Sequence, residues 1–163
     1  MRHFMTAFVT ILLVSHNTHA QSHPSAQRCD ERNKEIASLI EEYRELRERR
    51  RELQPGVFDA DLDGFKGKLR EVLSQLGEEL GHAPYTKAQV IRCLGQPDAV
   101  KNEKEMNGLL EIYQREKKIA GQQVKQYRNP QYLIYFWRGG HDFLFFISED
   151  GRIVDHGWWF AYE

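Results

Sequence analysis

Residues 132–146 read YLIYFWRGGHDFLFF, and no other stretch constrains the fold as tightly. Two runs of large apolar residues flank Gly139-Gly140. Tight hairpin turns need positive φ at their central positions, which glycine adopts without steric cost, so the stretch predicts a β-hairpin. A two-residue turn would pair Arg138 with His141, Phe136 with Phe143, Ile134 with Phe145 and Tyr132 with Ile147. Asp150-Gly151 is a second turn signal, and residues 152–162 read as a further strand. The expected unit is a three-stranded antiparallel meander over 132–138, 142–148 and 152–162.

Alternation along the hairpin gives it two faces. The face of Tyr132, Ile134, Phe136, Phe143, Phe145 and Ile147 is expected to pack on helices; burying one such Phe contributes about 2 kcal/mol. The opposite face carries Leu133, Tyr135, Trp137, Asp142, Leu144, Phe146 and Ser148, too apolar to stand in water. Its cover is either residues 99–130 or the C-terminal tail, or else a partner protein. In the second case Tyr135, Trp137, Leu144 and Phe146 would form the contact, with Tyr135 and Trp137 as anchors because their rings supply area together with a polar tip. The third strand has two open registers. A two-residue Asp-Gly turn sends Val154, His156, Trp158 and Phe160 to the helix-packed face, whereas a three-residue turn with a bulge sends Ile153, Asp155 and Trp159 there.

Helical spacing dominates the first half. Ile36, Leu39, Ile40, Tyr43, Leu46 and Leu53 form one stripe of a helix over 30–53. Glu41/Arg44, Glu45/Arg49 and Glu48/Arg51 stand at spacings that let opposite charges meet on its outer face. The glutamates interrupting RELRERRREL favour a solvated face over a nucleic-acid surface. Arg50 breaks the heptad pattern, which favours packing within the domain over a coiled coil. Pro55-Gly56 ends this helix, and a second, 65–80, carries Leu69, Val72, Leu73, Leu76 and Leu80 inward. Residues 30–83 thus read as a helical hairpin. Thr86 caps a short helix stopped by Gly95. Residues 99–130 are an insert of weak pattern, in which Met106, Leu109, Leu110 and Tyr113 keep helical spacing across Gly108. The fold class is α+β, with the helical hairpin and the short helix packed on the meander.

Few motifs carry chemistry. Asp59, Asp61, Asp63 and Gly64 match the opening of an EF-hand loop, but its twelfth position, which needs a bidentate carboxylate, is Arg70. An Asp-rich connection in which one carboxylate caps the second helix explains the same residues. His82, His141 and His156 are scattered, which argues against zinc. His141 and Asp142, as strand neighbours, point apart unless a bulge intervenes. The chain has no Gly-x-Ser-x-Gly elbow and no phosphate loop. No catalytic residue and no cofactor is assigned.

The compartment is read from the start of the chain. Residues 1–20 combine Arg2, an apolar run and Thr18-His19-Ala20, the pattern of a cleaved signal peptide too short to span a bilayer. Arg28 precedes Cys29 where a lipoprotein signal needs a small residue, which argues against a lipid anchor. Residues 21–29 read as a flexible lead-in. In an oxidising compartment Cys29 and Cys93 are expected either to pair or to stay as two separate buried thiols; a bridge would close a loop of about 64 residues, worth about 4 kcal/mol. Lys+Arg number 23 against 24 Asp+Glu, a balance that predicts no general affinity for nucleic acid.

YTKAQVIRCLGQPD, with Thr86, Val90, Leu94, Gly95 and Pro97, followed by a meander carrying EDGRIV, resembles the SmpA/OmlA (BamE-like) family and, more distantly, the β-lactamase-inhibitor-protein fold. The resemblance covers about residues 84–160. It implies a non-catalytic module that works by contact with partners. The chain departs from that pattern in its missing lipoprotein cysteine, its insert at 99–130 and its helix at 30–53. The resulting expectation is an exported, periplasmic or secreted interaction module of the cell envelope, an accessory, scaffold or inhibitor-like factor with a protein partner. The alternatives are a calcium-stabilised domain using Asp59, Asp61 and Asp63, or an enzyme of unrecognised type.

Overall fold

A computed structural model describes residues 34–82 and 84–161. The expected signal peptide and lead-in, with Cys29, lie outside the described residues. The elements are α1 (Lys34–Glu52), α2 (Ala60–Asp63), α3 (Lys68–Leu80), α4 (Lys87–Leu94), β1 (Ala99–Asn102), α5 (Glu103–Ile119), β2 (Gln131–Arg138), β3 (Asp142–Glu149) and β4 (Arg152–Trp159). They form an α+β fold around an antiparallel sheet of order β1-β2-β3-β4. The sheet has four strands where three were expected. The additional one, β1, pairs Ala99 with Ile134 and Asn102 with Gln131. Asp98 extends this edge: its amide donates to the Ile134 carbonyl at 2.8 Å, and its carboxylate accepts from the Phe136 amide at 2.8 Å. No described helix is long and apolar enough to cross a membrane.

The sheet is covered on both sides. Leu133, Tyr135, Trp137, Leu144, Phe146 and Ile153 join Ile36, Ile40, Tyr43 and the leucines of α3 in the larger core. Tyr132, Ile134, Phe143, Phe145 and Ile147 pack on Met106 and Leu110 of α5. The main helical layer therefore lies on the face expected to need a separate cover, and the insert covers the other. Alternation could not have decided this, because both faces are apolar and the choice of face rests on the connections. After α4, Gly95 takes φ +81° and the chain turns into β1; Asn102 and Glu105 then form a capping box that starts α5 at once.

Two bulges reset the registers. Phe136↔Phe143, Ile134↔Phe145 and Tyr132↔Ile147 pair as expected, but Arg138 pairs with Asp142, so His141 joins Gly139-Gly140 in a three-residue turn and Trp137 is the bulged residue. At the second turn Glu149 pairs with Arg152 across Asp150-Gly151, both at positive φ. A bulge then follows, with Ser148↔Ile153 but Ile147↔Asp155. This resolves the two open registers into a mixture: Ile153 packs with the helical layer, Trp158 and Phe160 pack at its rim, and Val154 and Trp159 lie on the α5 side.

The outer edge of β4 is blunted. Tyr85 accepts from the Ile153 amide at 2.9 Å, and the Lys87 amide donates to the Gly151 carbonyl at 2.9 Å. Farther along, the His156 amide donates to Asp155 Oδ1 at 2.9 Å, and its carbonyl accepts from the Tyr113 hydroxyl at 2.8 Å. Such pairing removes the free donors and acceptors that make edge strands prone to self-association.

Candidate functional site

Tyr135, Trp137, Leu144 and Phe146 are only 0 to 1% exposed. They are core residues in contact with the helical layer and present no surface to a partner, which corrects their expected role. Tyr135 donates its hydroxyl to the Gly95 carbonyl at 3.1 Å, and burial pushes its pKa up. Trp137 meets Phe65 edge-on at 5.7 Å and Phe160 at 6.1 Å.

The Asp-rich loop is an ion-pairing device between α1 and α2. Asp59 caps α2 by accepting from the Asp61 and Leu62 amides, whereas α3 begins at Gly67 without a side-chain cap. The second helix was thus expected too long, and its cap was assigned to the wrong helix. Arg49 pairs with both Asp59 and Asp61, the latter at 3.2 Å. Arg50 reaches Asp63 at 2.9 Å and the Leu62 carbonyl at 2.6 Å. Arg49 therefore serves the loop and not the expected Glu45, while Arg44–Glu41 (3.9 Å) and Arg51–Glu48 (2.9 Å) meet as expected. Arg70, at the calcium loop's twelfth position, lies 3.9 Å over the Phe65 ring and 5.1 Å from Phe160. A cation at Asp59, Asp61 and Asp63 would have to displace two guanidinium groups.

His141 and Asp142 were expected to point apart, yet the bulge and the longer turn bring His141 Nδ1 to 3.2 Å from Asp142 Oδ1. Asp142 is buried and also accepts from Arg138 (2.9 and 2.7 Å) and from the Ala161 amide at 2.9 Å. Burial raises its pKa, but these bonds outweigh that and hold it below the usual carboxylate range. With every partner supplied by the hairpin and the tail, this carboxylate acts as a clamp. His156 faces Glu78 at 3.5 Å and His82 at 5.2 Å between ring centres, and burial lowers its pKa.

An exposed apolar surface does exist, at the end of the molecule where the α1–α2 connection meets the β2–β3 turn. Val57 is 51% exposed, Phe58 70% and Phe65 45%. Val57 and Phe58 border a depression of about 380 Å³ closed by Arg50, Leu53, Arg138 and Gly139. Pro55-Gly56 stops α1 and throws the next two residues outward, with Gly56 at φ +85°. The signal was readable: Val57 and Phe58 follow a helix stop and belong to no apolar stripe. Cys93 is buried in α4, and its expected partner Cys29 is outside the described residues. Compared with protein-family models, with curated proteins and with solved structures, the chain gives no match in any of the three.

Proposed function

We propose that the chain is an exported, non-catalytic protein-interaction module of the cell envelope, an accessory, scaffold or inhibitor-like factor, docking through Val57, Phe58 and Phe65. The carrying observation is that both aromatic faces of the sheet are closed while these three large side chains stand in solvent at one end. Isolated exposed apolar residues are ordinary, but Val57 and Phe58 share one depression with Arg50 and Arg138, the apolar centre and charged rim of a contact surface, and the half-exposed Phe65, packed on Trp137, extends it. The SmpA/OmlA resemblance of residues 84–160 supports the same class of role. Export rests on residues 1–20, and a Cys29–Cys93 bridge is part of the proposal.

The test is capture of partners from envelope extract by the full chain and by the Val57→Ser/Phe58→Ser variant. Because both residues are exposed, the variant should melt like the parent and lose the captured species. A variant that captures the same proteins equally well would remove the proposed surface. Intact mass of the exported protein checks cleavage after Ala20 and the two-dalton loss of a bridge.

A further inference from the structure

A second surface lies on the other side of α1, between its last three turns and the α4–β1 connection. Arg44, Arg47 and Arg51 recur at three- and four-residue spacing and so share one stripe of α1. With Arg92 of α4 they line an open groove of about 640 Å³, floored by Leu94 and Pro97. Two of the four are locked. Arg44 donates to the Arg92 and Cys93 carbonyls at 3.1 and 3.0 Å. Arg47 donates to the Tyr43 hydroxyl at 2.9 Å, to the Leu94 and Gln96 carbonyls at 3.3 Å each and to Asp98 at 2.6 Å. Its guanidinium also lies about 6 Å from the Tyr43 and Tyr135 rings. These bonds satisfy the carbonyls left open at the end of α4.

The other two arginines are exposed. Among the described residues, Arg51 pairs only with Glu48 at the surface, and Arg92 has no carboxylate within ion-pair distance. Four guanidinium groups thus outnumber the three carboxylates paired with them, Glu41 on Arg44, Glu48 on Arg51 and Asp98 on Arg47, in a chain whose overall charge is −1. We infer that this groove binds an acidic peptide segment, with Arg51 and Arg92 pairing its carboxylates and the two locked arginines holding the wall of the groove in place. Geometry selects that occupant over other anions. The groove is open and runs along about 10 Å of helix, which suits an extended chain and not a single small ion. Its aromatic rings, Tyr43 and Tyr135, are buried, so it offers no stacking platform for single-stranded nucleic acid. Pro97, half-buried in the groove wall, gives the backbone of a peptide an apolar contact.

The test is fluorescence anisotropy of a labelled oligoglutamate peptide titrated with the full chain, with inorganic phosphate and oligothymidine as competitors. Saturable binding that weakens with salt, and that falls by about tenfold or more in Arg51→Glu/Arg92→Glu at unchanged melting temperature, is the expected result. Glu48→Gln should tighten it. Absence of binding, equal binding by the double variant, displacement by equimolar phosphate or preference for oligothymidine would each overturn the proposal. The Val57→Ser/Phe58→Ser variant should bind the peptide normally, which separates this groove from the apolar end.

Discussion

The two faces of the sheet are held by different physics. On one, four helices bring Ile36, Ile40, Leu62, Leu69, Leu73, Leu76 and Val90 together with Leu133, Tyr135, Leu144 and Phe146, and cohesion there comes from close-packed apolar area. On the other, a single helix covers the strands, and its far end is fastened by polar bonds. Asp155 of β4 accepts from Lys117 at 2.6 Å and Tyr127 at 2.7 Å, while Tyr113 bonds the neighbouring carbonyl. A layer of many helices resists the loss of any one contact by being continuous. A lone helix depends on where it is pinned, so the α5 side should open first and with less disturbance of the rest.

The largest break in this contrast is expected at Phe146, which is fully buried under the helical layer. Phe146→Ala should cost about 3–5 kcal/mol, because the surrounding helices cannot all collapse into the cavity. Urea unfolding should show one cooperative transition at a lower midpoint. Next comes Asp155→Ala, expected to cost about 2 kcal/mol by leaving Tyr127 and Lys117 without their shared acceptor. Its signature is local: amide hydrogen exchange should accelerate along α5 while α1 and α3 stay protected. Equal acceleration in both layers would erase the proposed difference. The bonds from Lys117, Tyr127 and the His156 amide overcome burial and hold the Asp155 pKa below its ordinary value. Its contribution is therefore complete above that ordinary value and is lost as pH falls through the folded one.

Glycines sharpen the comparison because both layers approach β4 across one. A Cβ at Gly157 would lie 2.5 Å from Tyr113 Cε2 and 2.7 Å from Phe145 Cζ, and one at Gly81 would overlap the His156 imidazole. Gly81→Ala should cost about 2 kcal/mol because α3 is wedged between α1 and the sheet. Gly157→Ala should cost about 1 kcal/mol, since α5 can ride outward. Melting curves of the two variants give the order, and a reversed order would mean that α5 is the stiffer layer.

The meander and α4 were legible because their signals are local: Gly139-Gly140, Asp150-Gly151, and the cap residue Thr86, which the structure shows in a capping box with Gln89. The assignment of faces was not, since alternation between two apolar faces carries no sign. Four-residue β1 was too short to read, although the Asn102/Glu105 box that follows it was present in the sequence. The bulges at Trp137 and Val154 left no composition mark, and they decide the His141–Asp142 contact and the β4 register. Tyr135, Trp137, Leu144 and Phe146 were chosen for a surface as large apolar side chains, which is equally the mark of a core. The arginines of α1 were read as a solvated face paired with glutamates; that they reach the Asp-rich loop and the carbonyls at the end of α4 depends on contacts across 10 to 49 residues of sequence.

The smallest effect expected is a pH response confined to the helical side. His156 lies between α3 and β4, its Nδ1 without a hydrogen-bond partner among the described residues. Burial lowers its pKa and His82 adds to that, while Glu78 and Asp155 raise it without restoring the ordinary value of 6.5. A base whose folded pKa is depressed binds more protons when unfolded, so stability falls as pH drops below 6.5 and levels off beneath the folded value. Each unit of depression corresponds to about 1.4 kcal/mol at the low-pH end of that window. His156→Gln keeps a polar side chain of similar reach and removes the titration, so its melting temperature should be flatter between neutral pH and about pH 5 than the parent's. Hydrogen exchange in the same window should quicken at α3 and leave α5 unchanged, because Asp155 is still ionised there. If α5 quickens instead, the proton is acting through the Tyr113–His156 carbonyl bond, and the two layers are coupled through β4 instead of standing independently.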